Sequence, residues 1–344
     1  MAYVYILVFL AALLTVLLFY KSVKKFLFRV GIRAIDQQKI NKPLLPTSAG
    51  VIVLIGFLAA AFLFIAVDRF LIINSSTNLS YILAAAFSIL IITFIGFFDD
   101  INVSPSLKKD KGLADYRIGL KQWQKPLLVL PAAIPIMAVR AGVTEMALPF
   151  FGVVNFGIFF PLLIVPLAIV FVTNATNMLA GMNGMEAGLG FVTTLSIGIY
   201  AFFAGRPEAA IIAFSAAGAL LSMLLFNWYP AKILPGDSLT FLVGASIATS
   251  LIIGDIERFG IFIFFLWILE FFLKLRSKFK ARTLGNLNKK GILETPYKKT
   301  YSLIHILMKF KRFSERDITM LLIAGQVIIC TITLLLSLAF LSVL

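Results

Sequence analysis

Long apolar stretches broken by short polar or basic connections run through almost the whole chain. A helix that crosses the hydrocarbon core of a bilayer needs about 20 mostly apolar residues. The pattern predicts such spans at 2–20, 46–67, 79–98, 124–139, 154–173, 184–204, 208–226, 238–254, 259–273 and 318–343. The first stretch has no basic segment ahead of it and no small-residue cleavage site, and its positive charges follow it. It therefore reads as a span and not as a signal peptide. The expectation is an all-α integral membrane protein of about ten transmembrane helices, with residues 1–344 forming a single polytopic membrane domain. No repeat and no low-complexity tract interrupts it.

Composition supports this reading and excludes several others. Mean hydropathy is +1.00 and 60% of the residues are hydrophobic. Only 14% are charged, against about 25% in soluble domains. Cys330 is the one cysteine and His305 the one histidine, which rules out a disulfide framework, a cysteine metal site and a histidine-rich metal centre. The net charge of +15 would suggest nucleic acid in a soluble protein, but in a membrane protein its placement matters more than its sum. Of the 31 Lys and Arg residues, all but Arg69, Arg140, Arg206 and Arg258 fall in alternate connections: 21–45, 99–125, 174–183, 227–237 and 274–317. The positive-inside rule assigns those loops to the cytoplasm and puts both termini on the non-cytoplasmic side.

The same connections carry the unusual polar residues. ITFIGFFDD ends a span on Asp99 and Asp100; neighbouring helical residues point about 100° apart, so the pair cannot serve one ligand equally. Carboxylates at a helix C-terminus also meet an unfavourable dipole, which makes simple capping a weak explanation for them. NATNMLAGMNGMEAG places Asn174 and Asn177 three residues apart, and Asn183 and Glu186 repeat that spacing. Such amides can serve helix packing, and the glycines close approach or turns; neither use explains the glutamate. Amide and carboxylate oxygens suit Mg²⁺ when substrate phosphates complete its shell. NWYPAKILPGDS ends on Asp237, where a helix cap is the plain alternative. LKLRSKFKARTLGNLNKK carries Lys274, Arg276, Lys278, Lys280, Arg282, Lys289 and Lys290, which suit either lipid headgroups or a pyrophosphate. Acids, amides and bases on one membrane face point to a Mg²⁺-bound phosphate substrate that meets something in the bilayer. Neither a P-loop nor a dinucleotide-binding glycine motif is present.

In their order and spacing, GFFDD, NATNMLAGMNGMEAG and NWYPAKILPGDS resemble the polyprenyl-phosphate N-acetylhexosamine-1-phosphate transferases, especially the eukaryotic and archaeal dolichyl-phosphate N-acetylglucosamine-1-phosphotransferases. LPTSAG, QWQKPLLVLP, KGILETPY and ERDITMLLIAGQ extend the likeness over most of the chain. The resemblance implies ten transmembrane helices and a cytosolic active site. It implies transfer of a sugar-1-phosphate, GlcNAc-1-phosphate or a related one, from a UDP-N-acetylhexosamine to a polyprenyl or dolichyl phosphate, with release of UMP. It also implies Mg²⁺, or Mn²⁺ in its place, a prokaryotic, archaeal-type plasma membrane as the location, and a homodimer, which is common among members. By the same resemblance, Asn177 and Asp237 hold the metal, Asp99 and Asp100 form the acidic pair, and Lys125 contacts phosphate. Asn183 lies near the uracil, and Asn174 and Glu186 complete that motif. Eukaryotic members carry an Arg-His-Arg cluster in the last loop, where this chain has Lys280 and Arg282 without a histidine; Thr47 and Leu234 replace a glutamate and an aromatic residue of the family pattern.

The rival reading is a secondary transporter of an anionic or phosphorylated solute. A transporter would place charged residues deep in several spans and show two related halves. The deepest acid expected here is Glu270, near a cytosolic span end, and no half-repeat is present.

Overall fold

The computed structural model describes residues 2–71, 77–101, 103–108, 112–117, 120–142, 145–148, 152–288 and 291–341. Helix α1 (Ala2–Arg29) is followed by the hairpin β1 (Arg33–Ile35) and β2 (Leu44–Pro46), then by α2 (Gly50–Leu71) and α3 (Leu79–Ile101). A second hairpin, β3 (Val103–Lys108) with β4 (Gly112–Arg117), leads to α4 (Gln124–Val129), a 3₁₀ turn and α5 (Ile134–Ala138). The hairpin β5 (Glu145–Leu148) with β6 (Gly152–Asn155) precedes a π-helical turn and α6 (Val165–Met178). Next come α7 (Met185–Phe203), α8 (Pro207–Asn227), α9 (Gly236–Gly254), α10 (Glu257–Ile263) and α11 (Phe265–Leu275). The chain closes with the short pair β7 (Asn286–Leu287) and β8 (Leu293–Glu294), then α12 (Leu303–Phe310) and α13 (Glu315–Leu341). Each described sheet has only two antiparallel strands, so the protein is an all-α integral membrane protein.

Eight described helices are long and apolar enough to cross a membrane. Two expected spans take a different form. The stretch expected at 124–139 is helical but breaks into three pieces, because Pro131 and Pro135 remove backbone donors and crowd the preceding turn. The stretch expected at 259–273 turns at Phe264, whose φ of −88° and ψ of 7° separate α10 from α11. Several boundaries also move. α3 runs to Ile101 and takes in Asp99 and Asp100, and α6 runs to Met178 and takes in Asn174 and Asn177. These site residues are therefore held on helix ends and not on free loops.

The core is organised around α9. Every residue from Asp237 to Gly254 is buried, and α9 packs against α2, α3, α6, α7 and α8. With small and hydroxyl residues spread around it, α9 suits contact with other helices on every side, so it becomes the hub. Without a hydrophobic drive between spans, close contact depends on small residues, and GASIATS in mid-helix supplies them. The approach of α3 to α9 is one of the tight points that shape the site. A Cβ on Gly96 would lie 2.5 Å from the Asp237 carbonyl oxygen, so only glycine lets the acidic end of α3 reach the start of α9. At the periphery, α1 exposes Leu14 and Leu18 and α13 exposes Leu335 and Phe340, as lipid-facing helices do.

Candidate active site

Three span ends and α4 converge on one buried cation. Lys125, near the start of α4, points inward, and its ammonium donates to Asp99 Oδ2 at 2.8 Å and to Asp237 Oδ2. Asp99 and Asp237 are only 3% and 5% exposed. Asp99 Oδ1 accepts the Leu120 N–H at 2.6 Å, which ties the returning 99–125 connection to the end of α3. Asn177 Nδ2 donates to Asp237 Oδ2 at 3.2 Å, and its Oδ1 accepts from Thr240 Oγ1 at 3.2 Å. Thr240 carries no sequence motif of its own; its position one turn beyond Asp237 is the one signal that pointed to it.

Asp100 does something different. Its Oδ1 accepts the Asp237 N–H at 2.6 Å, and its Oδ2 accepts the Ser238 N–H at 3.1 Å and the Ser48 hydroxyl at 2.9 Å. It caps the N-terminus of α9 from another helix, where a carboxylate meets orphan donors and the positive end of the dipole. The two adjacent aspartates therefore divide: Asp99 faces the Lys125 cation, and Asp100 holds the backbone that aims Asp237. The capping role that sequence weighed for Asp237 on its own helix falls to Asp100 instead. Ser48 has no partner in the motif pattern and was missed.

The expected helical face shared by Asn183 and Glu186 is absent. α7 begins only at Met185, after Gly184 at φ +82°, a left-handed position that suits glycine, so Asn183 lies in the turn before the helix. Asn183 Nδ2 donates to Asp36 Oδ2 at 3.0 Å, and its N–H donates to Glu315 Oε1 at 2.8 Å. The Lys39 ammonium joins Asp36, at 3.2 Å, to Glu315 and stands 4.6 Å from the centre of the Tyr229 ring. Gln38 Nε2 donates to the Gly181 carbonyl at 2.9 Å. Glu186 closes the same turn by accepting the Gly181 N–H at 2.6 Å. The Asn174 amide bonds its own helix at Val170 O, 2.8 Å away, and makes no described contact with the Lys125 cluster. Lys39 and Glu315 are 276 residues apart, and no local spacing reveals the cluster.

The five connections that sequence assigned to one side meet at one end of the bundle. Asp36 and Lys39, Asp99, the 174–183 turn, Asp237 and Glu315 come from all five and are joined by these contacts. The last of them supplies structure as well as charge. Lys274, expected among the clamp lysines, is buried and donates to Ala281 O at 3.0 Å and Thr283 Oγ1 at 2.6 Å. Glu270 is fully buried and accepts from Ser302 Oγ at 3.1 Å and Leu303 N at 2.8 Å, so it anchors the start of α12. Lys280 and Arg282 are exposed and make no described contact with the Lys125 cluster. Arg282 is nonetheless next to Thr283, whose hydroxyl bonds Met178 O at 3.3 Å at the end of α6. Lys289 and Lys290 lie outside the described residues. His305 is buried 5.5 Å from the Tyr297 ring centre; burial and the Lys274 charge hold its pKa down to about 4. It is therefore a neutral packing residue near neutral pH.

The donor set fits a hard cation. Asp99 and Asp237 already converge on one positive centre, and their two carboxylates outnumber the single ammonium between them. Buried charge of one sign calls for compensation, and the Asn177 amide beside Asp237 brings an oxygen suited to Mg²⁺ once the side chain turns it away from Thr240. No described group of three His, Cys, Asp or Glu side chains is placed to hold a metal alone. A hard cation here would need amide and substrate oxygens to complete its shell, as is usual for Mg²⁺ at phosphate sites.

Comparison with known proteins bears on both the fold and the site. The family described as "Glycosyl transferase family 4" matches residues 81–255, from within α3 to just past α9. A Saccharolobus solfataricus protein with the provisional name UDP-N-acetylglucosamine–dolichyl-phosphate N-acetylglucosaminephosphotransferase is 31% identical over 88% of this chain and 87% of its own length. A Sulfolobus acidocaldarius protein of the same provisional name is 30% identical over 85% and 84%. The phospho-N-acetylmuramoyl-pentapeptide-transferase of Clostridium beijerinckii is 30% identical over 60% of this chain and 62% of its own. The matched region carries Asp99, Lys125, Asn177 and Asp237 together, and the chain belongs to glycosyl transferase family 4.

Proposed function

We propose that this protein transfers an N-acetylhexosamine-1-phosphate, most simply GlcNAc-1-phosphate, from a UDP-sugar to a polyprenyl phosphate of the dolichyl type. UMP leaves, and a lipid-diphosphate-sugar remains as an initiating intermediate of lipid-linked glycan assembly. The observation that carries this reading is the Lys125 ammonium held between Asp99 and Asp237, with Asn177 alongside, where the ends of α3, α6 and α9 meet. The names of the archaeal relatives supply the donor and acceptor. The active site faces the cytoplasm, where UDP-sugars are available, and the membrane is a prokaryotic plasma membrane of archaeal type.

An oxygen of the lipid phosphate attacks the β-phosphorus of the UDP-sugar in line. The bond from that phosphorus to the bridging oxygen breaks, and UMP takes the electron pair. The attacking phosphate is already anionic and needs little proton removal, so the main task is positioning and charge stabilisation. Lys125 supplies fixed positive charge to the phosphates in a site shielded from water, and Asp99 orients it. Asp100 keeps Asp237 in place by capping α9. The neighbouring turn of Asn183 and Glu186 receives the nucleoside, while Lys280 and Arg282 approach the sugar-pyrophosphate from the last loop, with Asn174 at the rim. Mg²⁺, or Mn²⁺, held by Asp237 and Asn177, would neutralise charge on the pyrophosphate. The lipid tail lies along the broken α4–α5 segment, which turns Lys125 inward but exposes Leu127 and Ile134.

The test is purified protein with polyprenyl phosphate, UDP-GlcNAc and Mg²⁺. UMP and a lipid-linked GlcNAc should form in equal amounts, and EDTA or Asp237→Ala should abolish both. UMP release that survives EDTA and Asp237→Ala removes the metal assignment. Solute uptake by proteoliposomes, with no UMP from any UDP-N-acetylhexosamine, replaces the enzyme with a transporter.

A further inference from the structure

The polar end of α1 carries a basic groove that the proposed reaction leaves unused. It is an open groove of about 700 Å³. Lys21, Lys24, Lys25 and Arg29 line it from α1, and Lys232 closes it from the connection between α8 and α9. Tyr20 and Phe28 supply its aromatic walls. The Tyr20 ring is stacked on Phe226 at 3.5 Å between centroids, and Lys24 Nζ stands 5.6 Å from the Tyr20 ring centre. No carboxylate lines the groove, and neither does any of Asp99, Lys125, Asn177 and Asp237.

Stability does not account for this arrangement. Lys21, Lys25 and Arg29 are four residues apart in sequence and share one helical face, where like charges repel and weaken the helix. Orientation in the membrane requires only that basic residues lie on the right side of it. It does not require five of them to surround one cavity, one contributed by a separate connection. We propose that this groove binds the phosphate of an anionic membrane lipid headgroup, at a site separate from the catalytic one.

Two observations favour a lipid over a soluble anion. The turns of α1 just before the groove expose Leu14, Leu17 and Leu18, which provide a path for acyl chains leading to the lysines. Tyr20 marks the step from apolar to basic sequence, the interfacial depth at which a headgroup phosphate sits. The site also connects to the catalytic frame. The Lys232 N–H bonds Phe226 O at 2.9 Å, and two residues later the Leu234 N–H bonds Pro46 O at 2.8 Å. A headgroup on Lys232 steadies the segment that delivers Asp237.

The test is native mass spectrometry of the delipidated full-length protein titrated with dioleoyl-phosphatidylglycerol, dioleoyl-phosphatidylcholine or inorganic phosphate. The anionic lipid should bind in preference to the zwitterionic one. The Lys24→Gln/Lys25→Gln/Lys232→Gln variant should raise its Kd roughly tenfold or more. The corresponding arginine variant should retain binding, and Lys298→Gln/Lys299→Gln in the last loop should leave it unchanged. The proposal is overturned if the glutamine variant binds like the wild type, or if the last-loop variant loses binding equally. It is also overturned if excess inorganic phosphate displaces the lipid, which would mark a soluble-anion site. Because the readout is lipid binding, the result is independent of whether the UMP assay succeeds.

Discussion

Two clusters at the same end of the bundle have nearly the same composition. In each, a lysine lies between two carboxylates with an asparagine against one of them: Lys125 with Asp99, Asp237 and Asn177, and Lys39 with Asp36, Glu315 and Asn183. They differ in what else holds the acids. Around Lys39, the Asn183 backbone N–H donates to Glu315 and the Asn183 side chain to Asp36, so the cluster fastens the Asn183 turn to the first connection and the last span. Around Lys125, one carboxylate begins α9 and the other ends α3, and a third acid, Asp100, is used up in aiming the first. One cluster is a latch between distant loops. The other, which the proposed reaction uses, has its groups positioned by neighbours such as Asp100. Composition alone does not separate a structural ion cluster from a catalytic one; the use made of the surrounding donors does.

The largest effect should come from Asp237→Asn, which keeps size and removes one of the two charges facing Lys125. UMP release should fall by about 10²–10³-fold, the scale of losing one preorganised electrostatic group, with little change in melting temperature in detergent. A folded variant of near wild-type activity would move the chemistry away from α9. The second effect reverses that pattern. Lys39→Met leaves Asp36 and Glu315 buried without their cation. It should cost roughly 3 kcal/mol of stability, toward the low end for a buried pair because the Lys39 side chain is 12% exposed. Thermal unfolding should occur at a distinctly lower temperature, while the folded fraction keeps most of its turnover. Lost turnover at unchanged stability would instead make the Lys39 cluster part of the reaction.

Asp99, Asn177 and Asp237 were legible in the sequence because each lies beside a span end in a motif that breaks the apolar pattern, whereas Lys125 came only from the family resemblance of QWQK. Glycine and proline in the same motifs mark where the helices stop. The all-α membrane architecture was legible for a related reason: helix-length hydrophobicity is a local property. The breaks at Pro131 and Phe264 were not visible in a hydropathy pattern, which counts apolar residues and ignores backbone donors. The Lys39 latch was not legible at all, since Asp36, Lys39 and Glu315 are ordinary charged loop and helix-end residues until the fold brings them together. Nor did adjacency in the sequence show that Asp99 and Asp100 divide their work, although their roughly 100° separation on α3 requires that they face different neighbours.

That division gives a smaller and more specific effect. Asp100→Asn keeps the shape of the cap but replaces one acceptor oxygen with a donor facing the backbone donors of Asp237 and Ser238. About 1–2 kcal/mol of stability should be lost, the usual scale for a helix N-cap. UMP release should fall less than in Asp237→Asn. Activity lost as completely as in Asp237→Asn, at undiminished stability, would return Asp100 to the reaction and remove the contrast between the two aspartates.

The smallest effect on turnover belongs to His305, outside both clusters. Its pKa is lowered to about 4 by burial and the nearby Lys274 charge, against about 6.5 for an unperturbed histidine in an unfolded chain. Between those values the unfolded chain binds the proton and the folded one does not, so protonation favours unfolding. The contribution of this group is present in full above pH 6.5 and is lost as the pH falls from 6.5 toward 4. His305→Gln should leave UMP release at pH 7 unchanged and flatten the decline of melting temperature across that acidic window. A histidine acting in the transfer would behave in the opposite way: turnover would collapse at neutral pH, and the slope of stability against pH would stay as it was.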